Sequence, residues 1–113
     1  MANIIEEKSF SFAVRIVNLN KYLNEQKKEF VLSKQLLRSG TSIGANVAEA
    51  EQAQSTLDFV SKMSIALKKV SETKYWLRLL SATDYLTAIE FNSLLSDCVE
   101  LEKILVSIIK SSK

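Results

Sequence analysis

Gln35-Leu36-Leu37-Arg38-Ser39-Gly40-Thr41-Ser42-Ile43-Gly44-Ala45-Asn46-Val47-Ala48-Glu49-Ala50-Glu51 reads with the period of a helix. Advancing about 100° per residue from Gln35 places Leu36, Leu37, Gly40, Ile43, Gly44, Val47 and Ala48 on one apolar arc of roughly 80–220°. Gln35, Arg38, Ser42, Asn46 and Glu49 fall on the opposite side. Gly40, Gly44 and Ala48 recur every fourth residue, so a neighbouring helix is expected to approach closely along them. Each mid-helix Gly costs ~1 kcal/mol against Ala, a loss that close packing can offset.

Three further segments share this period. The first is expected over Ser9–Gln26, with two apolar stripes: Phe12, Ile16, Leu19 and Leu23 on one, Phe10, Val14 and Val17 on the other. A charged joint, Lys27-Lys28-Glu29, follows. The second helix, containing the stretch above, is expected over Ser33–Ala53 with Ser33 as its N-cap. The third opens at Ser55-Thr56-Leu57-Asp58 and runs to about Ser81, with a core stripe of Val60, Met63, Leu67, Val70 and Leu77. The fourth opens at Thr87-Ala88-Ile89-Glu90, a capping-box pattern, and reaches about Lys110 with Phe91, Leu94, Cys98, Leu101, Leu105 and Ile108 inward. Period-two alternation is missing. The reading is an all-α, up-down-up-down antiparallel four-helix bundle forming one domain over residues 1–113.

Composition narrows the chemistry. The 113 residues are 47% hydrophobic and 25% charged, the balance of a folded globular chain. There is no His, so imidazole bases, Ser-His or Cys-His nucleophile pairs and His-ligated metals are excluded. One Cys closes no intrachain disulfide, and Cys98 reads as a small core residue. Two glycines and no Pro leave no Gly-rich phosphate loop. No run approaches the ~18 apolar residues of a membrane span, and the acidic start Met1-Ala2-Asn3-Ile4-Ile5-Glu6-Glu7 lacks the order of a secretion signal. A cytoplasmic protein with no cofactor, no metal, no membrane partner and no small-molecule substrate is expected.

A lone bundle has one interior and needs one apolar stripe per helix. The second stripe of the first helix, together with Ile65 and Trp76 far round the third helix from its core stripe, therefore predicts self-association. The bland alternative is a scatter of ordinary surface hydrophobes. The polar row also invites two readings. Ser and Asn are poorer helix formers than the Lys and Glu of a typical wet face. They suit a bonded network between Arg38 and Glu49 across a subunit boundary; an ordinary wet face and a ligand site are the alternatives. Glu49 has no acid, base or metal partner near it in sequence, and no catalytic residue is assigned.

The stretch from Gln35 to Ala50 resembles the four-helix-bundle family of proteins encoded in intervening sequences of bacterial 23S ribosomal RNA genes, with its pattern Q-L-R-R-A-x-x-S-I-P-A-N-I-A-E-G. Gln35, Leu36, Arg38, Ser42, Ile43, Ala45, Asn46, Ala48 and Glu49 match it. Leu37, Ser39, Gly44, Val47 and Ala50 depart from it, standing for Arg, Ala, Pro, Ile and Gly. Ser55, Phe59, Ile65-Ala66-Leu67, Glu72 and Trp76 also fall where the resemblance places them. It spans essentially the whole chain. It implies a four-helix bundle, in studied relatives a ring-shaped homopentamer, and no recognised catalytic residues. A related branch, the accessory proteins of diversity-generating retroelements, forms basic pentamers that bind nucleic acid; Leu37 in place of Arg counts against carrying that role over.

Net charge is +2, but unevenly spread. Between Val60 and Arg78, Lys62, Lys68, Lys69, Lys74 and Arg78 face only Glu72; between Asp84 and Glu102 there are five acids and no base. Mutual screening of two neighbouring helices explains this simply. Alternatively, a ring presents the five bases repeatedly to RNA or DNA. By angle they fall into two groups rather than one strip. The expected function is thus a non-enzymatic, self-assembling scaffold or accessory subunit, with Gln35, Arg38, Ser42, Asn46, Glu49, Glu72 and Trp76 at a subunit interface or polar network. A nucleic-acid-binding accessory protein using the five bases is the alternative. An enzyme would need a pocket joining Arg38, Glu49 and Glu72.

Overall fold

The computed structural model describes residues 3–113, which form four helices and, among the described residues, no strand: α1 (Ile4–Glu25), α2 (Leu32–Ala50), α3 (Thr56–Ala82) and α4 (Ala88–Ser112). Successive helices run antiparallel. Ser39 pairs with Thr73 and Glu49 with Lys62 as α2 descends past α3, and Lys8 with Glu100 and Arg15 with Asp97 as α1 passes α4. The four-helix bundle expected from the periodicity is the fold. No helix among the described residues is long and apolar enough to cross a membrane.

Two starts follow the sequence signals. The Ser55 hydroxyl accepts from the Asp58 N–H at 3.0 Å. At α4, Thr87 and Glu90 close a reciprocal capping box. The other two starts differ. The first helix begins at Ile4 rather than Ser9, so Ile5 and Ser9 are buried within it, and Glu6 and Glu7 sit in the first turn, where carboxylates complement the positive end of the helix dipole. The second is not capped by Ser33. Glu29, upstream of the helix, accepts from the N–H groups of Val31, Leu32 and Ser33 at 3.1, 2.9 and 2.7 Å. The Ser33 hydroxyl turns back to the Glu29 carbonyl and to Asn24. Burial alone would raise the Glu29 pKa, but the N–H groups of Leu32, Ser33 and Val31 outweigh it and leave the carboxyl below its ordinary value.

Neither glycine is used in a turn. The left-handed residues that turn the chain after α1 and α3 are Lys28 (φ 56°) and Asp84 (φ 68°). Gly40 instead meets Ile16, where an added Cβ would lie 2.8 Å from Cγ1. Gly44 faces Ser9 with room for ordinary contact at 3.4 Å. The small-residue series therefore brings α1 close at Gly40 and loosens toward Ala48, which is exposed.

The core joins Ile5, Phe12, Ile16 and Leu23 of α1 with Leu36, Ile43 and Val47 of α2, and Met63, Val70 and Leu77 of α3 with Leu94, Cys98, Leu101 and Leu105 of α4. Phe91, Ile108 and Leu67 pack against it half-buried. The α1–α4 seam is the loosest of the four. It is crossed by Arg15, which bonds both Asp97 (2.7 Å) and Ser93 (3.1 Å). Burial pushes the Cys98 thiol up to about 12, in keeping with a core residue rather than a nucleophile.

Candidate oligomer interface

The second stripe of α1 stays outside. Phe10, Val14 and Val17 are 69%, 45% and 37% exposed, while Phe12 and Ile16, two residues away from Phe10 and Val14, are fully enclosed. Beside the stripe, Phe10, Ala13, Thr41, Gly44, Ala45 and Ala48 line a shallow groove of ≈ 270 Å³ between α1 and α2. Ala48, expected inward, turns instead toward this outer side and is exposed, while Leu37 packs half-buried against the core as expected. The apolar arc of α2 is wider than the interior that α1 and α3 can cover, so its edge is left over.

On the next face, between α2 and α3, lie the residues of the polar row. Gln35, Arg38 and Glu49 are exposed; Ser42 and Asn46 are half-buried. Within one chain these side chains do not bond to one another. Ser42 donates to the Arg38 carbonyl at 2.6 Å and Asn46 to the Ser42 carbonyl at 2.8 Å, so both side chains return to their own helix. Glu49 is taken by Lys62 (2.9 Å) and Glu72 by Lys69 (3.3 Å). No ion pair engages Arg38 among the described residues. The two carboxylates of the hypothetical enzyme pocket are thus held by different lysines, away from Arg38.

Ile65 and Trp76 are not stranded on the surface as the wheel alone implied. Both are half-buried, and Trp76 packs on the core with Tyr75 edge-on to it, ring centroids 5.1 Å apart. α3 lies between α2 and α4, so large side chains well off its core line still reach a neighbour. The Trp76 indole Nε1 is buried without a hydrogen-bond acceptor among the described residues. Such a donor costs ~1–3 kcal/mol. It lies on the flank of α3 that borders the polar row.

The five bases divide. Lys62 is bound to Glu49, which holds its pKa above the usual lysine value through a hydrogen bond and charge. Lys74 reaches the other way, to Glu102 of α4 at 2.9 Å, so the acidic fourth helix partly screens the third. Lys69 pairs within its helix, and Lys68 and Arg78 are exposed and unpaired among the described residues. They form no common groove.

Two features escaped the sequence reading. Glu29 and the Asn20–Asn24–Ser33 cluster tie α1 to the start of α2; an acid just before a helix was the available signal. The Ser39–Thr73 hydrogen bond, 3.0 Å and buried, crosses from α2 to α3, and nothing local to either residue announces it. A cleft of ≈ 730 Å³ lies elsewhere, between the start of α1, the start of α3 and the end of α4, and is lined by Ile4, Phe59, Met63, Lys103, Ile104 and Ile108. Of the residues named from the sequence, the core positions Met63 and Ile108 and the resemblance position Phe59 line it, but none of the interface or nucleic-acid candidates does.

Residues 1–107 match the model of the 23S rRNA-intervening sequence protein family. The chain belongs to this family. A similar solved structure is a protein of unknown function from the S23 ribosomal protein family of Bacteroides thetaiotaomicron. It shares 58% identity at a TM-score of 0.93, over 94% of this chain and 98% of that one. Among curated proteins nothing matches. Family membership fixes the fold and agrees with the motif at Gln35–Ala50. It names no activity.

Proposed function

We propose that this member of the 23S rRNA-intervening sequence protein family is a non-enzymatic, self-assembling subunit that serves as a scaffold or accessory component. The observation that carries this is the outer stripe Phe10–Val14–Val17, open to water beside a groove floored by Gly44, Ala45 and Ala48. Removing such a surface from water is worth roughly 25 cal/mol per Å², and isolated globular chains seldom leave one continuous apolar strip along a helix. Five copies is the number implied by the resemblance to ring-forming relatives. Light scattering after size exclusion tests the reading: the mass is expected to be several times 12.7 kDa at micromolar concentration. A mass of one chain overturns it. In the same preparation, fluorescence anisotropy with short RNA and DNA at low salt checks the alternative, in which binding weakens steeply as salt is added.

A further inference from the structure

At one end of the bundle the helices stop at different heights. Lys8 of α1 pairs with Glu100 of α4 at 3.1 Å. Past that pair α1 has about one turn left before its start at Ile4, whereas α4 continues for about three turns to Ser112. α3 likewise begins about two turns before Met63. The inward sides of α3 and α4 therefore outrun α1, and the corner that α1 does not fill is the cleft of ≈ 730 Å³. Met63 is buried beneath it, Phe59, Ile104 and Ile108 are half-buried in its walls, and Ile4 is 57% exposed at its edge. None of these five side chains has a hydrogen-bond donor. The volume lies within the roughly 300–1,000 Å³ of small-molecule sites. A sugar or a peptide group laid on such a lining would leave its polar atoms unpaired, so the body of the occupant is hydrocarbon.

The polar groups of the cleft set the direction of that occupant. On the α2 side, Glu51 is bonded by the Asn3 amide. On the α4 side stand Lys103 and, one turn further on, Ser107. A second groove along α4 shares Lys103 and Ser107 and adds Glu102 and Lys110. Glu102 is neutralised by Lys74 at 2.9 Å, while neither Lys103 nor Lys110 has an ion pair among the described residues. The α4 edge is thus positive and the α2 edge negative. We propose that this corner binds a single-chain fatty carboxylate. Its hydrocarbon lies over Met63, Ile104 and Ile108, in the place that α1 leaves open, and its carboxylate meets Lys103 at the α4 edge. Lys110, two turns along the same helix, adds to the attraction, and Glu51 repels the head group from the opposite wall.

Isothermal titration calorimetry of the full chain with dodecanoate, kept below its micelle concentration, tests the site. One dodecanoate per chain is expected, with a negative heat-capacity change from the buried hydrocarbon. Ile4→Glu places a carboxylate at the exposed edge, in a first helical turn that tolerates it, and is expected to abolish binding while the melting temperature stays near that of the parent. Ser107→Glu, at the other exposed edge, gives the same reading should Ile4→Glu fail to fold. Lys103→Glu is expected to weaken binding several-fold, and dodecyltrimethylammonium, with the same chain and the opposite charge, to bind far less tightly than dodecanoate. Phe10→Glu, on the separate outer stripe, is expected to bind like the parent. No heat from dodecanoate at millimolar concentration, binding that survives the edge carboxylate, or equal binding of the ammonium compound overturns the proposal. So does loss of binding in Phe10→Glu with retention in Ile4→Glu, which places the chain on the outer stripe of α1. The cleft uses none of Phe10, Val14 and Val17, so these outcomes are read separately from the mass of the assembly.

Discussion

The α1–α2 hairpin and the α3–α4 hairpin close the same core with different outward surfaces. In the first, the helices approach until Ile16 fills the space above Gly40, and α1 still carries a second apolar stripe facing water. In the second, the outward side of α4 is serine, lysine and glutamate, and the helix start is capped by residues adjacent in sequence. The first hairpin is built with surfaces on both sides; the second has an inside and an outside. Under the proposed self-assembly, this difference puts the contact surface on α1 and α2 and leaves α4 as a solvated wall.

The largest effect tests the inner stripe. Ile16→Ala removes a fully buried side chain and is expected to cost about 2–5 kcal/mol in urea unfolding. A loss under ~1 kcal/mol would mean that the α1–α2 contact is looser than the structure has it.

The two glycines sharpen the comparison within one helix. Gly40→Ala forces a methyl against Ile16, an overpacking cost of ~1–3 kcal/mol set against ~1 kcal/mol of helix propensity, for a net loss of about 1 kcal/mol. Gly44→Ala meets only ordinary contact and should be neutral or gain up to ~1 kcal/mol. In an Ile16→Ala background the Gly40→Ala penalty is expected to vanish, which a double-mutant cycle reads directly.

The two helix starts supply the next test. Glu29→Gln weakens the three-donor cap of α2 by ~1 kcal/mol at neutral pH. The pKa of Glu29 is lowered on folding from the ordinary 4.5, so its stabilisation is fully present above that value and is lost as pH falls through the lower folded value. Parent and variant should therefore converge in melting temperature as acid is added. Divergence below pH 4.5 would contradict the cap.

The smallest effect is expected on the wet wall. Lys103→Ala lies on the outward side of α4 and should change stability by less than ~0.5 kcal/mol and leave the assembled mass unaltered. A change in mass would move the interface to α4.

Much of this was legible in the residues. The period of Gln35–Glu51, the Ser55 and Thr87–Glu90 starts and the inward lines of α3 and α4 rest on rules that act within one or two turns, and the structure follows them. So does the separation of the two α1 stripes, because stripes centred about 160° apart round a helix cannot both face one interior. The misses came from longer range. Trp76 reaches the core because α3 sits between two helices, and Ala48 turns outward because α1 and α3 cover only part of the arc of α2. Within the chain, Ser42 and Asn46 bond their own helix carbonyls, an option open to any short polar side chain in a helix.

The sequence alone determined that there are four amphipathic helices, where two of them begin, and that their apolar surface exceeds one interior. These are local matters of period and capping. Only the tertiary structure decided which stripe became the interior, that Glu29 rather than Ser33 holds the start of α2, and that the leftover stripe of α1 lies beside a groove against α2. Those outcomes depend on which helices neighbour one another and at what distance, and no window of sequence contains both partners of such a contact.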